Sequence, residues 1–265
     1  MKICPIASGS SGNCILIASD NHSVLVDAGI SGKRIEAGLR GIDMQSSDIE
    51  AILITHEHSD HIKGIGILAR RYGIPLYTTQ GTADALLEMT TVGKIPDGLI
   101  HVINAEEAFA IGDLSVKAFR TSHDAAEPVG YRVEHDGKSA AVSTDLGEYT
   151  DYTVEQLRNL DVLLLESNHD LRMLQAGRYP YYLKRRIMSE KGHLSNDDAG
   201  RLLCRLLHDD IKHVYLGHLS HENNYEALAF ETVSQEVTMG DCPYKASDFN
   251  ITIAHRDVVS EAVEF

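Results

Sequence analysis

Short apolar runs and helical apolar spacings alternate along the chain and predict a mixed structure. Runs of apolar residues bounded by Gly, Asn, Asp and Ser predict strands, and apolar residues three and four positions apart predict helices. The predicted strands are residues 2–7, 14–19, 22–27, 51–55, 75–78, 99–103, 114–119, 129–135, 139–144, 161–166, 213–217 and 249–254. The predicted helices are residues 31–40, 62–72, 81–90, 170–176, 180–189, 196–208 and 222–237. This order predicts the α+β class, with two mixed β-sheets sandwiched by helices in four αββα layers.

Length and composition predict one domain over residues 1–265 in the cytoplasm. A hydrophobic content of 43% is ample for a large core, and the six prolines form no linker. The first residues lack the apolar stretch of a signal peptide, and no apolar run is long enough to cross a membrane. The cysteines have no Cys-x-x-Cys spacing, which predicts free thiols at Cys4, Cys14, Cys204 and Cys242.

The chain is acidic, with one basic segment. Its formal net charge of −15 disfavours a protein that coats nucleic acid, but it allows an enzyme that holds a few phosphates locally. Residues 170–192 contain six basic and two acidic residues. This segment is either a solvated helix face or a phosphate-binding surface.

A histidine-rich segment directly follows the predicted strand 51–55. His56, His58, Asp60 and His61 lie within six positions of one another. In extended chain, residues i and i+2 point the same way, so His56 and His58 can bind one ion together. The other two residues lie where the chain begins to coil and can reach a second ion. Imidazole and carboxylate ligands suit Zn, Mn and Fe.

Three further candidate ligands follow other predicted strands. His123 comes after strand 114–119, Asp145 ends the second strand of a predicted hairpin, and His218 ends strand 213–217. Each residue alone is more often a polar strand end that is satisfied by hydrogen bonds. Together with the histidine segment, they predict a two-metal site on one rim of the fold.

This ligand series resembles that of the metallo-β-lactamase superfamily. Asp145 stands where true β-lactamases have Cys, which disfavours antibiotic hydrolysis, and His58 differs from the Glu of the oxygen-reducing flavodiiron branch. Asp27, in Val-Asp-Ala-Gly, resembles the motif that supports the histidine loop. The resemblance implies one ion on His56, His58 and His123, a second on Asp60, His61 and His218, and Asp145 as the bridge between them.

The region between Asp145 and His218 resembles a narrower family. It contains Leu165-Glu166-Ser167-Asn168-His169-Asp170, Leu183-Lys184-Arg185-Arg186-Ile187 and Gly192-His193-Leu194-Ser195-Asn196. These segments look like those of the YycJ/WalJ family, bacterial 5′→3′ exonucleases that act on double-stranded DNA. The resemblance covers nearly the whole chain. It implies a phosphodiesterase that binds duplex DNA with a 5′-phosphate.

Within that resemblance, Asp60 and His193 are the candidate catalytic residues. A hydroxide shared by two ions would attack phosphorus, and His193, which resembles the proton-donating histidine of ribonuclease Z, would protonate the leaving oxygen. His193 could equally form a helix-entry hydrogen bond. His218 is preferred to His221 as the last ligand, although the two could exchange. The candidate substrate contacts are Asn168, His169, Arg178, Lys184, Arg185, Arg186 and His221.

Other functions fit the same residues less well. An RNA-processing or cyclic-phosphodiester hydrolase is the main alternative, but the long arm of ribonuclease Z is not evident. The interval between Asp145 and His218 is too short for the extra domain of β-CASP nucleases. A thioester hydrolase and a non-catalytic accessory protein are lesser alternatives, and the complete ligand set disfavours the accessory protein.

Overall fold

Two seven-stranded β-sheets pack face to face in the computed structural model, which describes residues 1–265. The first sheet has the strand order β14-β1-β2-β3-β4-β5-β6, and the second has β13-β12-β11-β10-β9-β8-β7. The strands are β1 (Lys2–Ala7), β2 (Cys14–Ala18), β3 (Ser23–Val26), β4 (Ala51–Leu53), β5 (Leu76–Thr78), β6 (Ile100–Val102), β7 (Ala108–Ile111), β8 (Leu114–Arg120), β9 (Val129–His135), β10 (Lys138–Ser143), β11 (Val162–Glu166), β12 (His213–Gly217), β13 (Ile251–Ile253) and β14 (Val263–Glu264).

Helices cover the outer faces of both sheets and complete four αββα layers. They are α1 (Gly32–Arg40), α2 (Ser59–Ile62), α3 (Ile65–Tyr72), α4 (Gln80–Glu88), α5 (Asp151–Leu157), α6 (Leu171–Ala176), α7 (Tyr181–Ile187), α8 (Asn196–Leu206) and α9 (Glu226–Met239). One apolar cluster lies between the sheets, and two more lie under the helices, one on each outer face. The predicted fold class is confirmed. None of the helices has the length and apolar character needed to span a bilayer.

Strand direction brings the polar strand ends to one rim. In the first sheet β3 and β4 are parallel, and in the second β10, β11 and β12 are parallel. Strand β8 is antiparallel to β9, which is antiparallel to β10, so β8 runs in the same direction as β10. The residues that follow these strands therefore leave the sheets at the same edge, which is where the predicted ligands lie.

Several elements differ from the sequence prediction. Strands β7 and β14 and helix α5 were not predicted: the strands have only four and two residues, and only three of the seven residues of α5 are buried. Within the predicted helix 62–72, α3 begins only at Ile65, and the short helix α2 ends at Ile62. Between them, the Gly64 N–H donates to the Ala28 carbonyl at 2.7 Å. The last helix begins at Glu226 rather than 222, because the Asn224 side chain is bound to the Ser167 and Asn168 carbonyls. All four cysteines are free.

Gly29 allows the loop after β3 to touch the histidine segment. A Cβ atom at this position would lie 1.6 Å from the Asp60 carbonyl oxygen, whereas one at Gly41 would meet its nearest atom at 3.2 Å. We therefore expect Gly29→Ala to lower the free energy of unfolding by about 2 kcal/mol or more, because backbone would have to move. Urea denaturation measures this, with Gly41→Ala as the control. Equal stability of the two variants would contradict the close approach.

Candidate metal centre

Seven predicted ligands meet where the two sheets share their rim. His56 and His58 follow β4, and Asp60 and His61 lie in α2. His123, Asp145 and His218 follow β8, β10 and β12 in the second sheet. Their nitrogen and oxygen atoms form three overlapping groups, each within 4.8 Å: His56, His58 and His123; Asp60, His61 and His218; and His56, His61 and Asp145. The sequence therefore anticipated which residues come together.

The carboxylate of Asp145 lies between the other two groups. One oxygen, Oδ1, is 3.5 Å from His123 Nε2, and the other, Oδ2, is 3.0 Å from His61 Nε2. His58 Nδ1 and His123 Nε2 are 3.2 Å apart, and His218 Nε2 is 3.3 Å from Asp60 Oδ2. The structure therefore brings together the two three-residue groups and the carboxylate that the resemblance implies, and their role as metal ligands stays a prediction.

Two buried atoms show that the donor set fits cations. His56 Nε2 and Asp145 Oδ2 are both buried and lack a hydrogen-bond partner. Buried polar atoms are normally paired, and those that are not require an explanation. An ion that accepts nitrogen and oxygen ligands would satisfy both atoms. The donor set contains no thiolate, so it suits Zn, Mn and Fe.

Asp27 fixes the histidine segment from behind. Its carboxylate is fully buried and accepts hydrogen bonds from Thr55 N and Thr55 Oγ1, both at 2.8 Å, and from His61 Nδ1 at 2.7 Å. Because Nδ1 is the donor, Nε2 of His61 is left to face the centre. Burial raises the pKa of Asp27, and the charge and hydrogen bond of His61 oppose that shift. Asp27 therefore has the supporting position that the sequence predicted.

Glu166 is a residue of the centre that the sequence prediction missed as a site residue. It ends β11, is fully buried, and accepts hydrogen bonds from Nδ1 of His193 at 2.8 Å and of His218 at 2.7 Å. Its other oxygen accepts from the N–H groups of Leu146 and Leu194. Burial raises its pKa, but the two histidines outweigh this and lower the pKa to about 2. A single acid after the apolar run VLLL was the available signal.

Three residues around the centre have left-handed backbone conformations. Asp27, Asp145 and His218 have φ values of 61°, 57° and 55°. A non-glycine residue in this region costs on the order of 1–3 kcal/mol and persists only where its surroundings hold it in place. Each lies within two residues of a strand end, so the strained turn aims its side chain back across the rim.

The three other candidate histidines, His193, His169 and His221, lie in different environments. The ring of His193 is beside His123 and His218, with centroids 5.1 and 5.4 Å away. His169 is buried outside the ligand groups, neither ring nitrogen has a partner, and burial lowers its pKa to about 4. His221 is exposed and bonded to Glu222, whereas His218 lies in the ligand group. The geometry therefore favours His218 over His221 as a ligand.

The other candidate substrate contacts are only partly free. Asn168 donates to the His218 carbonyl at 2.9 Å, so its amide supports the ligand loop. Lys184 donates to the Gln175 and Gly177 carbonyls, both at 2.7 Å, which commits its ammonium to the connection between α6 and α7. Arg186 forms a two-atom ion pair with Asp124, next to His123. Only two of the predicted basic contacts lie exposed without such bonds, namely Arg178 and Arg185.

An open cleft lies beside Asp60. It has a volume of about 470 Å³ and is lined mainly by hydroxyl groups and one ammonium group. Its polar lining residues are Ser10, Ser11, Ser59, Asp60, Lys63 and Thr91. Hydroxyl and ammonium donors of this kind can hold phosphate oxygens.

Comparison with known proteins supports the fold, and the matched region includes the rim residues. The model of the beta-lactamase superfamily domain matches residues 22–219, which include every predicted metal ligand. The chain belongs to the metallo-β-lactamase superfamily. The fold is also that of YhfI from Bacillus subtilis, a metallo-beta-lactamase fold protein, with a TM-score of 0.70, 19% identity and 98% of each chain covered.

Two curated relatives place the chain in the YycJ/WalJ family. Exodeoxyribonuclease YycJ of Bacillus anthracis is 41% identical over 87% of this chain and 86% of its own length. Exodeoxyribonuclease WalJ of Streptococcus pneumoniae is 42% identical over 89% of this chain and 88% of its own length. The family resemblance predicted from residues 165–196 is therefore confirmed.

Replacing Asp27 tests how the centre is supported. The amide of Asp27→Asn would lose the charge and one of the acceptor oxygens that hold Thr55 and His61, so the ring of His61 would be free to turn. We expect about a 10- to 100-fold loss of metal affinity. Titration of the metal-free protein with Zn or Mn, followed by metal analysis, measures it. Asp84→Asn, at an exposed position on α4, is the matched control. Equal affinity in both variants would show that Asp27 does not hold the site.

Proposed function

We propose that residues 1–265 form a single catalytic domain that is a metal-dependent exodeoxyribonuclease. The observation that carries the proposal is the pair of ligand groups joined by Asp145, with the His193–Glu166 pair beside them. The names of the relatives, YycJ and WalJ exodeoxyribonucleases, support DNA as the substrate. We further propose duplex DNA with a 5′-phosphate and digestion in the 5′→3′ direction.

The residues would hold two divalent cations of the Zn, Mn or Fe kind. One group is His56, His58 and His123, and the other is Asp60, His61 and His218. Asp145 lies between them, 3.5 Å from His123 Nε2 and 3.0 Å from His61 Nε2. Such ions supply acidified water and neutralise charge on a phosphodiester. Asp60 is the least buried of the four carboxylates of the centre and borders the cleft, so it faces the side from which substrate would arrive.

His193 is the proposed proton donor to the leaving oxygen. Its Nδ1 donates to Glu166 at 2.8 Å, which leaves Nε2 as the nitrogen that can exchange a proton with substrate. Its side chain is 19% exposed, whereas the side chains of His61 and His218 are buried. Glu166 fixes the ring orientation and stabilises its charged form, as a buried carboxylate does beside a catalytic imidazole.

The substrate path is proposed to run across the centre from the cleft to α7. On one side, Ser10, Ser11 and Lys63 offer donors to phosphate, and on the other side α7 offers Arg185. Phosphate contacts of this kind fix position without reading sequence. The arrangement therefore supports a nuclease with little base preference.

The central test uses end-labelled and circular nucleic acids. We expect the metal-loaded protein to release nucleotides from the 5′ end of linear duplex DNA, fastest with a 5′-phosphate, and to leave closed circular DNA intact. Asp145→Ala and chelator should each abolish the activity, because both remove the joined metal sites. Matched RNA duplexes are run in parallel. Nicking of circles would refute exonucleolytic action, and digestion of RNA alone would move the assignment to RNA processing.

A sulfur-substituted linkage tests the role of His193. We expect His193→Ala to slow normal DNA cleavage about 100-fold or more, because the leaving 3′ oxygen needs a proton. A bridging 3′-thio linkage has a leaving group that departs without one, so the variant should recover most of the wild-type rate on it. His208→Ala, a half-buried histidine that bonds to the Leu160 carbonyl, is the control. An equal loss on both linkages would assign His193 a structural role instead.

A further inference from the structure

Helix α7 begins with the two most exposed tyrosines of the chain. The side chains of Tyr181 and Tyr182 are 74% and 75% exposed, so they contribute almost nothing to the core. Large exposed aromatic groups are unfavourable in water, and contiguous ones mark sites of contact with another molecule. They lie in the basic segment 170–192 of an otherwise acidic chain.

The other end of α7 is attached to the metal centre. Arg186, in the last turn, pairs with Asp124, which adjoins the ligand His123. The Ile187 carbonyl accepts from His193 N at 3.0 Å, and the Gly192 carbonyl lies 3.0 Å from His123 Nδ1. The helix therefore leads away from the reacting groups, with its tyrosines at the far end.

The tyrosines share helix faces with arginines. Tyr182 and Arg186 are four residues apart, as are Tyr181 and Arg185, and residues at this spacing are neighbours on one face. One helical turn rises about 5.4 Å, so the rings lie roughly one to two nucleotide steps beyond Arg186. Aromatic rings beside guanidinium groups form a surface suited to nucleic acid bases and phosphates.

The start of α7 is held firmly in place. The ammonium of Lys184 donates to the Gln175 and Gly177 carbonyls, which ties α7 to the end of α6. Asp170 caps α6 by accepting from Met173 N at 2.7 Å, and its own N–H donates to the Asn223 carbonyl. The exposed rings are therefore presented by an anchored element, which reduces the entropy lost when a base packs on them.

We propose that Tyr181 and Tyr182 stack on unpaired bases of the DNA strand close to the cleavage point. This inference rests on the proposed function. Paired bases inside a duplex present only their edges, whereas an unpaired base presents a ring face to an aromatic side chain. The local positive charge selects a polyanion as the occupant, and the paired aromatic groups select bases in addition to phosphates. The enzyme therefore prefers DNA ends whose first bases are open.

The test compares duplexes that have a short unpaired 5′ end with blunt duplexes of the same sequence. The variants are Tyr181→Ala/Tyr182→Ala and Tyr181→Phe/Tyr182→Phe, and Leu87→Ala removes another exposed side chain, on α4. We expect the alanine pair to lower kcat/KM on the unpaired-end duplex about tenfold or more, as loss of base stacking does. The phenylalanine pair and Leu87→Ala should keep nearly the wild-type value, because stacking needs only the ring.

A small diester separates this inference from the proposed function. Bis(p-nitrophenyl) phosphate has no strand beyond its reacting phosphate that could place a base on the tyrosines, so all variants should hydrolyse it at the wild-type rate. If the wild-type protein digests DNA while the alanine pair has the wild-type kcat/KM on both the unpaired-end and the blunt duplex, the stacking inference is wrong and the nuclease assignment stands. Equal losses in the alanine and phenylalanine pairs would also refute stacking. If the wild-type protein digests no DNA at all, both the stacking inference and the nuclease assignment are wrong.

Discussion

The pairing of buried carboxylates with histidine rings is the interaction on which the rest of the structure depends. Asp27, Asp145 and Glu166 are almost completely buried, and each lies within 3.0 Å of a histidine nitrogen. An unpaired buried carboxylate costs several kcal/mol, so these contacts are needed for the rim to form at all. The same contacts fix the ring orientations. For Asp27 and Glu166, folding energy and site geometry therefore depend on the same hydrogen bonds. Asp145 Oδ2 has no hydrogen-bond partner, and a cation would satisfy it.

In each sheet, a buried carboxylate at the end of a strand accepts a hydrogen bond from Nδ1 of a histidine. In the first sheet, Asp27 follows β3 and holds Nδ1 of His61, and in the second, Glu166 ends β11 and holds Nδ1 of His218 and His193. In both cases a buried acid at a strand end leaves Nε2 of the ring facing the centre. The left-handed turns at Asp27 and His218 complete the arrangement, since they direct each side chain across the rim. Neither sheet alone presents a complete set of ligands.

The sequence predicted the fold class and named residues that the structure brings together at the rim, because each strand and each polar residue that follows it is marked by a local pattern. A polar residue directly after an apolar strand pointed to His123, Asp145 and His218. The same rule applies to Glu166, which the sequence places in a family segment but does not mark as a site residue. Long-range contacts were beyond such rules: neither the binding of Lys184 to two carbonyls nor the pairing of Arg186 with Asp124 leaves a local pattern. The sequence already preferred His218 to His221, and the contact of His218 with Glu166, 52 residues away, adds a reason that no local pattern shows.

The distribution of charge favours action at ends rather than along a duplex. A chain with a net charge of −15 repels a polyanion over most of its surface, which opposes sliding and coating. Two exposed arginines, Arg178 and Arg185, lie in the same basic segment as the exposed tyrosines. Arg186 of that segment pairs with Asp124 beside His123. Binding energy then comes from a short stretch of substrate, through a small number of phosphates and stacked bases. A short contact of that kind holds a strand end as well as it holds any internal segment. An open end offers unpaired bases that an internal segment lacks, so the proposed stacking on the tyrosines would favour ends.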